Sequence, residues 1–332
     1  MSDQSSPGLD ALVGQLLTAP DPAELIPPPH FRTTTFASFE IDPAVNGQAE
    51  AVAKIRTFVG QGTGWWSRLT RRSGSRSRKA LYLDGGFGVG KTHLLASCFH
   101  EASGTRRYLS FAEAMSLMAL LGHRAAIAGL AADLVCIDEF ELDDPTNTRL
   151  ADLLISGLIA AGSRIVTTSN TVPGELGQGR MAVDLFRTQL ARIESAFSDV
   201  HVPGSDRRLR AAVRGGDPLG WGPNVDPLPP ADAHHVVDAT ALDRALLRVP
   251  VANLHRLAAR LRGLTVLGLR PFNDQLAALR FVHLVDRLYD HNARLRVQAS
   301  EPIDALFPAE HCQASFAKKY RRCQSRLREL CI

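Results

Sequence analysis

The fold of this chain is decided by one stretch of eight residues, Gly85–Gly86–Phe87–Gly88–Val89–Gly90–Lys91–Thr92. It matches the pattern G-x-x-x-x-G-K-T of a phosphate-binding P-loop. A short apolar run typical of a buried strand precedes it (80–83), and a helical pattern follows from His93. Glycines let backbone amides turn toward phosphate groups, and the helix start adds partial positive charge. The stretch therefore predicts a nucleoside triphosphate site.

Each polar residue of the motif has a predicted role. Lys91 would reach the β- and γ-phosphates, and Thr92 would ligate Mg²⁺ through its hydroxyl. We predict that ATP and Mg²⁺ are the cofactors, and that the cofactor-binding residues are the eight residues of the motif together with His93.

A second motif supplies the carboxylates that hydrolysis requires. The apolar residues 134–137 form a predicted buried strand, and Asp138 and Glu139 follow directly. This is the pattern of a Walker B motif. Asp138 would hold Mg²⁺ and Glu139 would polarise the attacking water. The pair of acids distinguishes ATPases with a general base at the strand end from small GTPases.

The third motif is a polar residue directly after the next predicted strand, which runs over 164–169. Asn170 would orient the water and sense the γ-phosphate, and with Lys91 and Glu139 it completes the predicted catalytic residues. The three motifs in this order indicate the AAA+ class of P-loop ATPases. Such sites use arginines, one of them donated by a neighbouring subunit. The candidates for this donated arginine, the arginine finger, are Arg180, Arg187 and Arg192. The candidates for a lid arginine, which acts within the same subunit, are Arg280 and Arg326.

Strand-like and helix-like segments alternate from residue 79 onward, which favours an α/β fold with a mostly parallel sheet covered by helices. We predict an N-terminal arm, helix and basic loop over 1–78, a P-loop AAA+ core over 79–214, and a C-terminal helical or mixed lid and partner region over 215–332. We also expect a strand or extended arm over Phe31–Phe39, and a strand pair at 196–202 and 207–213.

Composition is that of a globular protein: of 332 residues, 45% are hydrophobic and 22% charged. No apolar run of about 18 residues predicts a membrane span, and residues 1–10 do not resemble a leader. The five cysteines have no C-x-x-C spacing, which fits reduced thiols and a cytoplasmic location.

The net charge of +4 is mild, but basic residues cluster in two places. One cluster lies in the loop at 68–79 and the other on a predicted helix over 316–330. Clusters of this kind can contact nucleic acid, although solvated loop and helix faces explain them as well. The total charge favours the second interpretation.

The chain resembles the ATPase family gene 1-like / cell division protein ZapE family of AAA+ ATPases. The resemblance spans most of residues 28–330. It is carried by Pro28–Phe31 with Gln48–Ala51, by Leu81–Gly86 running into the P-loop, by Ile137–Phe140 with Asp144, by Thr168–Asn170 with Pro173 and Leu176, and by Arg280–Phe281 with Leu284–His291 and Arg322–Leu327. It implies a cytoplasmic ATPase that acts as an oligomer at the division septum and contacts the tubulin-like ring protein.

The sequence therefore predicts an Mg²⁺-dependent AAA+ ATPase that remodels or regulates a protein partner. Two alternatives stay open. One is a helicase-loader-like AAA+ protein that binds nucleic acid, because Gly90–Ala96 also fits replication initiators. The other is a nucleotide-gated binding module with little intrinsic hydrolysis.

Overall fold

The structure is a computed structural model that describes residues 8–60, 79–86, 88–142, 145–172, 183–204, 217–229, 233–308 and 316–331. Its contacts divide the chain into two compact units. The first comprises Pro20–Ala211, and the second joins Met1–Ala19 to Ala212–Ile332. We describe each unit by itself. Within the first unit, Phe36, Phe39 and Ile55 share a core with residues of the P-loop strand and helix.

The first unit alternates strands with helices. Its strands are β1 Ala80–Asp84, β2 Arg106–Ser110, β3 Leu134–Asp138, β4 Arg164–Thr168 and β5 Phe197–His201. Its helices are numbered from α2, because α1 (Leu9–Gly14) belongs to the second unit. They are α2 Gln48–Gly60, α3 Lys91–Glu101, α4 Phe111–Leu121, α5 His123–Leu130, α6 Pro145–Ala160 and α7 Val183–Ala196.

These strands form one parallel sheet in the order β2-β3-β4-β1-β5. Every residue of β1 is buried, as expected for a central strand covered on both faces. Strand β4 lies between the P-loop strand β1 and the strand β3 that ends in Asp138. Because parallel strands end at the same edge, the P-loop, Asp138 and Asn170 meet there. The predicted α/β fold with a mostly parallel sheet is confirmed.

One local prediction is corrected. Phe31–Phe39 is neither a strand nor extended, because 3-10 turns form at Pro29–Phe31 and Phe36–Ser38. Proline starts the first turn, and a reciprocal Thr35–Ser38 capping box closes the second. Strand β5 covers the first half of the predicted strand pair and pairs in parallel with β1. The other half, at 207–213, lies outside the described residues, so the pair stays a prediction.

The second unit contains its own parallel sheet, in the order β6-β9-β8-β7. The strands are β6 Trp221–Gly222, β7 His234–Asp238, β8 Gly263–Leu269 and β9 Arg294–Ala299. The helices are α1 Leu9–Gly14, α8 Ala239–Arg248, α9 Leu254–Arg260, α10 Gln275–Asp290 and α11 Ala317–Leu330. Of these elements, the basic helix predicted over 316–330 is present as α11, whereas no strand was predicted at β7 or β8.

The N-terminal residues belong to this second unit through a buried amide. Asn253 donates from Nδ2 to the carbonyl oxygens of Leu16 at 2.6 Å and Thr18 at 2.8 Å. Val13 and Leu16 are fully buried in the same core as α8 and α10. The partition of the sequence at 78/79 and 214/215 stays a prediction. Among the described helices, none has the length and apolar character needed to span a membrane.

Candidate active site

The P-loop connects β1 to α3 through glycines in left-handed backbone conformations. Gly88 has φ +66° and Gly90 has φ +98°, a region that residues with a side chain rarely adopt. Gly90 is also the residue before α3, and a Cβ there would lie 2.6 Å from the Phe39 ring. At Gly85 a Cβ would lie 2.5 Å from the carbonyl oxygen of Val202. These positions therefore require glycine, and the loop delivers backbone amides at a helix start, where anions bind.

Lys91 is buried and links the P-loop to the end of β4. Its ammonium donates to the carbonyl oxygens of Gly85 at 2.9 Å and Gly86 at 2.6 Å. It also donates to Oδ1 of Asn170 at 3.0 Å. The structure thus brings together the predicted lysine and the predicted sensor asparagine, which are 79 positions apart in sequence.

Asp138 is the centre of a second group of contacts. Its Oδ1 accepts from the Thr92 hydroxyl at 3.4 Å and from the Thr168 hydroxyl. Its Oδ2 accepts from the Tyr108 hydroxyl at 3.1 Å. Burial, and then the charge of Glu139, raise the pKa of Asp138 above its ordinary value, although the three hydroxyl groups act in the opposite direction. Cation binding at this carboxylate would lower its pKa.

Thr92 and Asp138 fit a magnesium ion in their chemistry. Both offer hard oxygen atoms, which Mg²⁺ prefers, and these atoms lie within 3.4 Å of each other. The glycine cradle beside them fits the phosphates that Mg²⁺ accompanies in nucleotide sites.

Glu139 has a left-handed backbone with φ +56°, which is rare for a residue with a side chain. Such a conformation costs about 1–3 kcal/mol and persists where its surroundings fix it. Here the Glu139 N–H donates to Oδ1 of Asp138 at 3.1 Å and to the Thr168 hydroxyl at 3.0 Å. The next N–H, of Phe140, donates to the Thr168 carbonyl at 2.7 Å. The chain is therefore bent and held directly after Asp138.

Sequence reasoning missed three residues of this site. Tyr108 and Thr168 hold Asp138, and Glu141 accepts a hydrogen bond from the Asn170 amide at 2.9 Å. Thr168 could have been found, because it ends the same strand that precedes Asn170. Tyr108 and Glu141 carry no local signal, since only the fold places them beside their partners.

His93 turns toward the N-terminal segment of the first unit. Its Nε2 lies 3.1 Å from the Ser38 hydroxyl and 3.1 Å from the Thr35 carbonyl oxygen. Its ring meets the Phe39 ring edge-on at 5.6 Å. The assignment of His93 to the cofactor stays a prediction, as does that of Phe87, which lies outside the described residues.

The arginine candidates lie in different surroundings. Arg180 is outside the described residues, and Arg187 is exposed on α7. Arg192, on the same helix, pairs with Asp152 at 2.5 Å. In the second unit Arg280 donates to the Leu246 carbonyl at 2.5 Å, and Arg326 pairs with Asp286. The contacts of Arg192, Arg280 and Arg326 give each a structural role, and the finger and lid assignments stay predictions.

A parallel sheet with a P-loop after an interior strand, and with acidic residues at the end of another strand two positions away in the sheet, defines a P-loop NTPase. Comparison with known families is more specific. The chain belongs to the AFG1-like ATPase family, whose model matches residues 23–215 and 233–331.

The sequence of this chain is similar to that of the cell division protein ZapE of Escherichia coli K12. It is 28% identical over 295 residues, which are 76% of this chain and 78% of that protein. Among solved structures, DnaI aligns with a TM-score of 0.41 and 17% identity, over 57% of this chain and all of that one. AMPPCP-bound DnaA from Aquifex aeolicus aligns with a TM-score of 0.38 and 17% identity, over 53% and 52% of the two chains.

Proposed function

We propose that this protein is an Mg²⁺-dependent ATP hydrolase that uses hydrolysis to remodel or regulate a protein partner. The observation that carries the proposal is the meeting of two groups at one sheet edge. Lys91 contacts Asn170, and Asp138 contacts both Thr92 and the backbone of Glu139. These are the groups that bind phosphate, hold a cation and act on water in phosphoryl transfer.

Each residue has a defined task in this mechanism. The P-loop amides and the Lys91 ammonium bind the phosphates and neutralise their charge. Thr92 and Asp138 would hold Mg²⁺, which when bound would neutralise the negative charge on the phosphate oxygens during the attack. Glu139 takes a proton from the attacking water as the water oxygen bonds to the γ-phosphorus, and the bond from that phosphorus to the bridging oxygen breaks to release ADP. Asn170 orients the water or the γ-phosphate at the end of β4.

The proposed partner is a protein of the division machinery. The supporting observation is the similarity to a relative named for cell division. By resemblance the partner is the tubulin-like ring protein, and the active form is an oligomer in the cytoplasm, recruited to the septum. The structure offers less to the nucleic-acid alternative, because Arg322 and Arg326 of the basic helix α11 pair internally with Asp286. Residues 68–78 of the basic loop predicted at 68–79 lie outside the described residues.

The test is ATP turnover by the purified protein and by Glu139→Gln. We expect the variant to bind ATP with unchanged affinity and to hydrolyse it at least about 100-fold more slowly, since a positioned general base contributes on the order of 10²–10⁴. Turnover is followed as phosphate release with Mg²⁺ or EDTA, at rising protein concentration, with and without the ring protein. Hydrolysis by Glu139→Gln at the wild-type rate, or in EDTA, contradicts the proposal.

A further inference from the structure

The side-chain amide of Asn170 lies between two groups of opposite charge. Its oxygen Oδ1 accepts from the Lys91 ammonium at 3.0 Å. Its nitrogen Nδ2 donates to Oε1 of Glu141 at 2.9 Å. The first contact joins two motif residues, whereas Glu141 belongs to none of the motifs.

These two partners fix which way the amide faces. An ammonium group can only donate, and an ionised carboxylate can only accept. If the amide were turned over, its N–H groups would face the Lys91 ammonium and its oxygen would face the Glu141 carboxylate. Both contacts would then be repulsive. Because a hydrogen bond to a charged group is stronger than a neutral one, the pair selects one orientation of Asn170.

The fold holds Glu141 in place through its neighbour Phe140, which is fully buried. The Phe140 ring packs against Phe111 with ring centroids at 4.8 Å, and against Phe197 at 6.0 Å and Tyr82 at 6.3 Å. Its backbone N–H is bound by the Thr168 carbonyl. Glu141 therefore directly follows a residue that the core and a backbone hydrogen bond hold in place.

We propose that Glu141 is a positioning residue that sets the orientation of the Asn170 amide for catalysis. One N–H of Asn170 is used by Glu141, and the second N–H is thereby directed for a contact with the γ-phosphate or the attacking water. Glu141 acts through Asn170 and does not touch substrate. The inference rests on the proposed hydrolysis, since it assigns a role within that reaction.

The first experiment measures turnover and nucleotide affinity in a double-mutant cycle. We expect Glu141→Ala to lower kcat about tenfold while the Kd for a non-hydrolysable ATP analogue changes less than twofold. Glu141→Gln keeps an oxygen that accepts from Asn170, so it should retain at least half of the activity. In an Asn170→Ala background, Glu141→Ala should cause no further loss. A loss that persists at full size in that background overturns the proposal.

The matched control is Glu50→Ala on α2. Glu50 is exposed and pairs with Lys54 at 2.8 Å, so the same deletion is made away from the site. We expect wild-type turnover from this variant. Equal turnover by Glu141→Ala and Glu50→Ala overturns the positioning role, while the proposed hydrolysis stands if Glu139→Gln is slow.

The second experiment reads the amide orientation without hydrolysis. In protein labelled with ¹⁵N-asparagine, the Asn170 side-chain signal is identified by its loss in Asn170→Ala. We expect the proton that binds Glu141 to shift upfield in Glu141→Ala and to shift less in Glu141→Gln. An unchanged signal in Glu141→Ala overturns the inference whether or not the protein hydrolyses ATP. If the wild-type protein shows no turnover but the Asn170 signal still shifts in Glu141→Ala, the contact with Glu141 is supported and the proposed hydrolysis is contradicted.

Discussion

Thr168 contacts both acidic residues of the site through one hydroxyl group. The hydroxyl donates to Oδ1 of Asp138 and accepts from the Glu139 N–H at 3.0 Å. It thereby holds the carboxylate that would bind Mg²⁺ and also stabilises the left-handed backbone of Glu139. One side chain at the end of β4 couples the position of the cation ligand to that of the general base.

We expect Thr168→Val to lower kcat about ten- to a hundredfold. A hydrogen bond to a charged group is worth about 1.5–3 kcal/mol, and each 1.36 kcal/mol in the barrier is about tenfold in rate. The isosteric valine keeps the volume of the side chain, so the strand should stay intact. Phosphate-release kinetics, with the Kd for an ATP analogue measured alongside, separate lost catalysis from lost binding.

The neighbouring Thr167 provides a matched control. It is fully buried on the same strand, and its hydroxyl has no hydrogen-bond partner among the described residues. Thr167→Val removes a hydroxyl whose burial costs about 1–3 kcal/mol, so turnover should be unchanged and the Tm equal or higher. If Thr167→Val slows hydrolysis as much as Thr168→Val does, the specific role of Thr168 is wrong.

Residues inside motifs could be predicted from sequence, because a motif fixes both their type and their element. Lys91, Thr92, Asp138 and Asn170 were predicted, and the structure brings them to one sheet edge. Tyr108 could not be predicted, because its contact with Asp138 depends on the pairing of β2 with β3 across 30 positions.

At the scale of elements, two strands begin with an arginine whose side chain donates hydrogen bonds to the C-terminal end of a helix. Arg106, which opens β2, donates from one nitrogen to the carbonyls of Phe99, His100 and Ala102 at the end of α3. Arg164, which opens β4, donates to two carbonyls at the end of α2. These carbonyls lack helical partners, and the end of a helix carries partial negative charge. Each arginine therefore stabilises a helix and fastens it to the sheet.

We expect Arg106→Met to lower the free energy of unfolding by about 2–3 kcal/mol. A hydrogen bond from a charged group is worth about 1.5–3 kcal/mol. The three bonds to these half-buried carbonyls start from one nitrogen of Arg106, so their energies do not add. Methionine replaces the guanidinium, which lies over the Phe99 ring at 5.1 Å, with an apolar group of similar length. Urea unfolding followed by circular dichroism measures the change.

A surface arginine is the control for this comparison. Arg56 on α2 is exposed and pairs with Glu101 at 2.8 Å. Exposed pairs contribute about 0–1 kcal/mol, so Arg56→Met should change stability little. Comparable losses in the two variants would show that Arg106 acts only as an ordinary surface charge.

Strands and turns could be predicted from the sequence where the local residue pattern is strong. β1 and β3 were predicted because their apolar runs are continuous. β8 was missed because glycines at 263 and 268 weaken its strand signal, and β7 because it begins with two histidines. The turns within 29–39 were missed because proline and hydroxyl caps, rather than periodicity, determine them.

At the scale of the whole molecule, the second unit has its own sheet and its own buried ion cluster. Asp286 on α10 pairs with Arg322 at 2.6 Å and with Arg326, both on α11. The Arg326 guanidinium also lies over the Tyr289 ring at 4.9 Å. The cluster joins two helices of the core, and this explains why part of the basic helix is not available to a partner.

The charge state of Asp286 makes the stability of this unit depend on pH at the acid end. Burial raises the pKa of Asp286, but the two guanidinium groups outweigh it and hold the pKa well below the ordinary value. A carboxylate with a lowered folded-state pKa stabilises fully above its unfolded pKa of about 3.9, and the stabilisation is lost as the pH falls through the folded-state pKa.

We expect Asp286→Asn to destabilise the second unit by about 3–5 kcal/mol, because it leaves two largely buried guanidinium groups without their counter-charge. The difference from wild type should be constant between pH 5 and 8 and should shrink only below about pH 4. Urea unfolding at a series of pH values measures this difference.

Asp304→Asn is the control, because Asp304 is 75% exposed and pairs with Arg328 at 2.6 Å. Its loss should stay within about 1 kcal/mol at every pH. An Asp286→Asn loss no larger than this, or one that fades already near pH 6, would show that the buried cluster does not stabilise the unit through its charge.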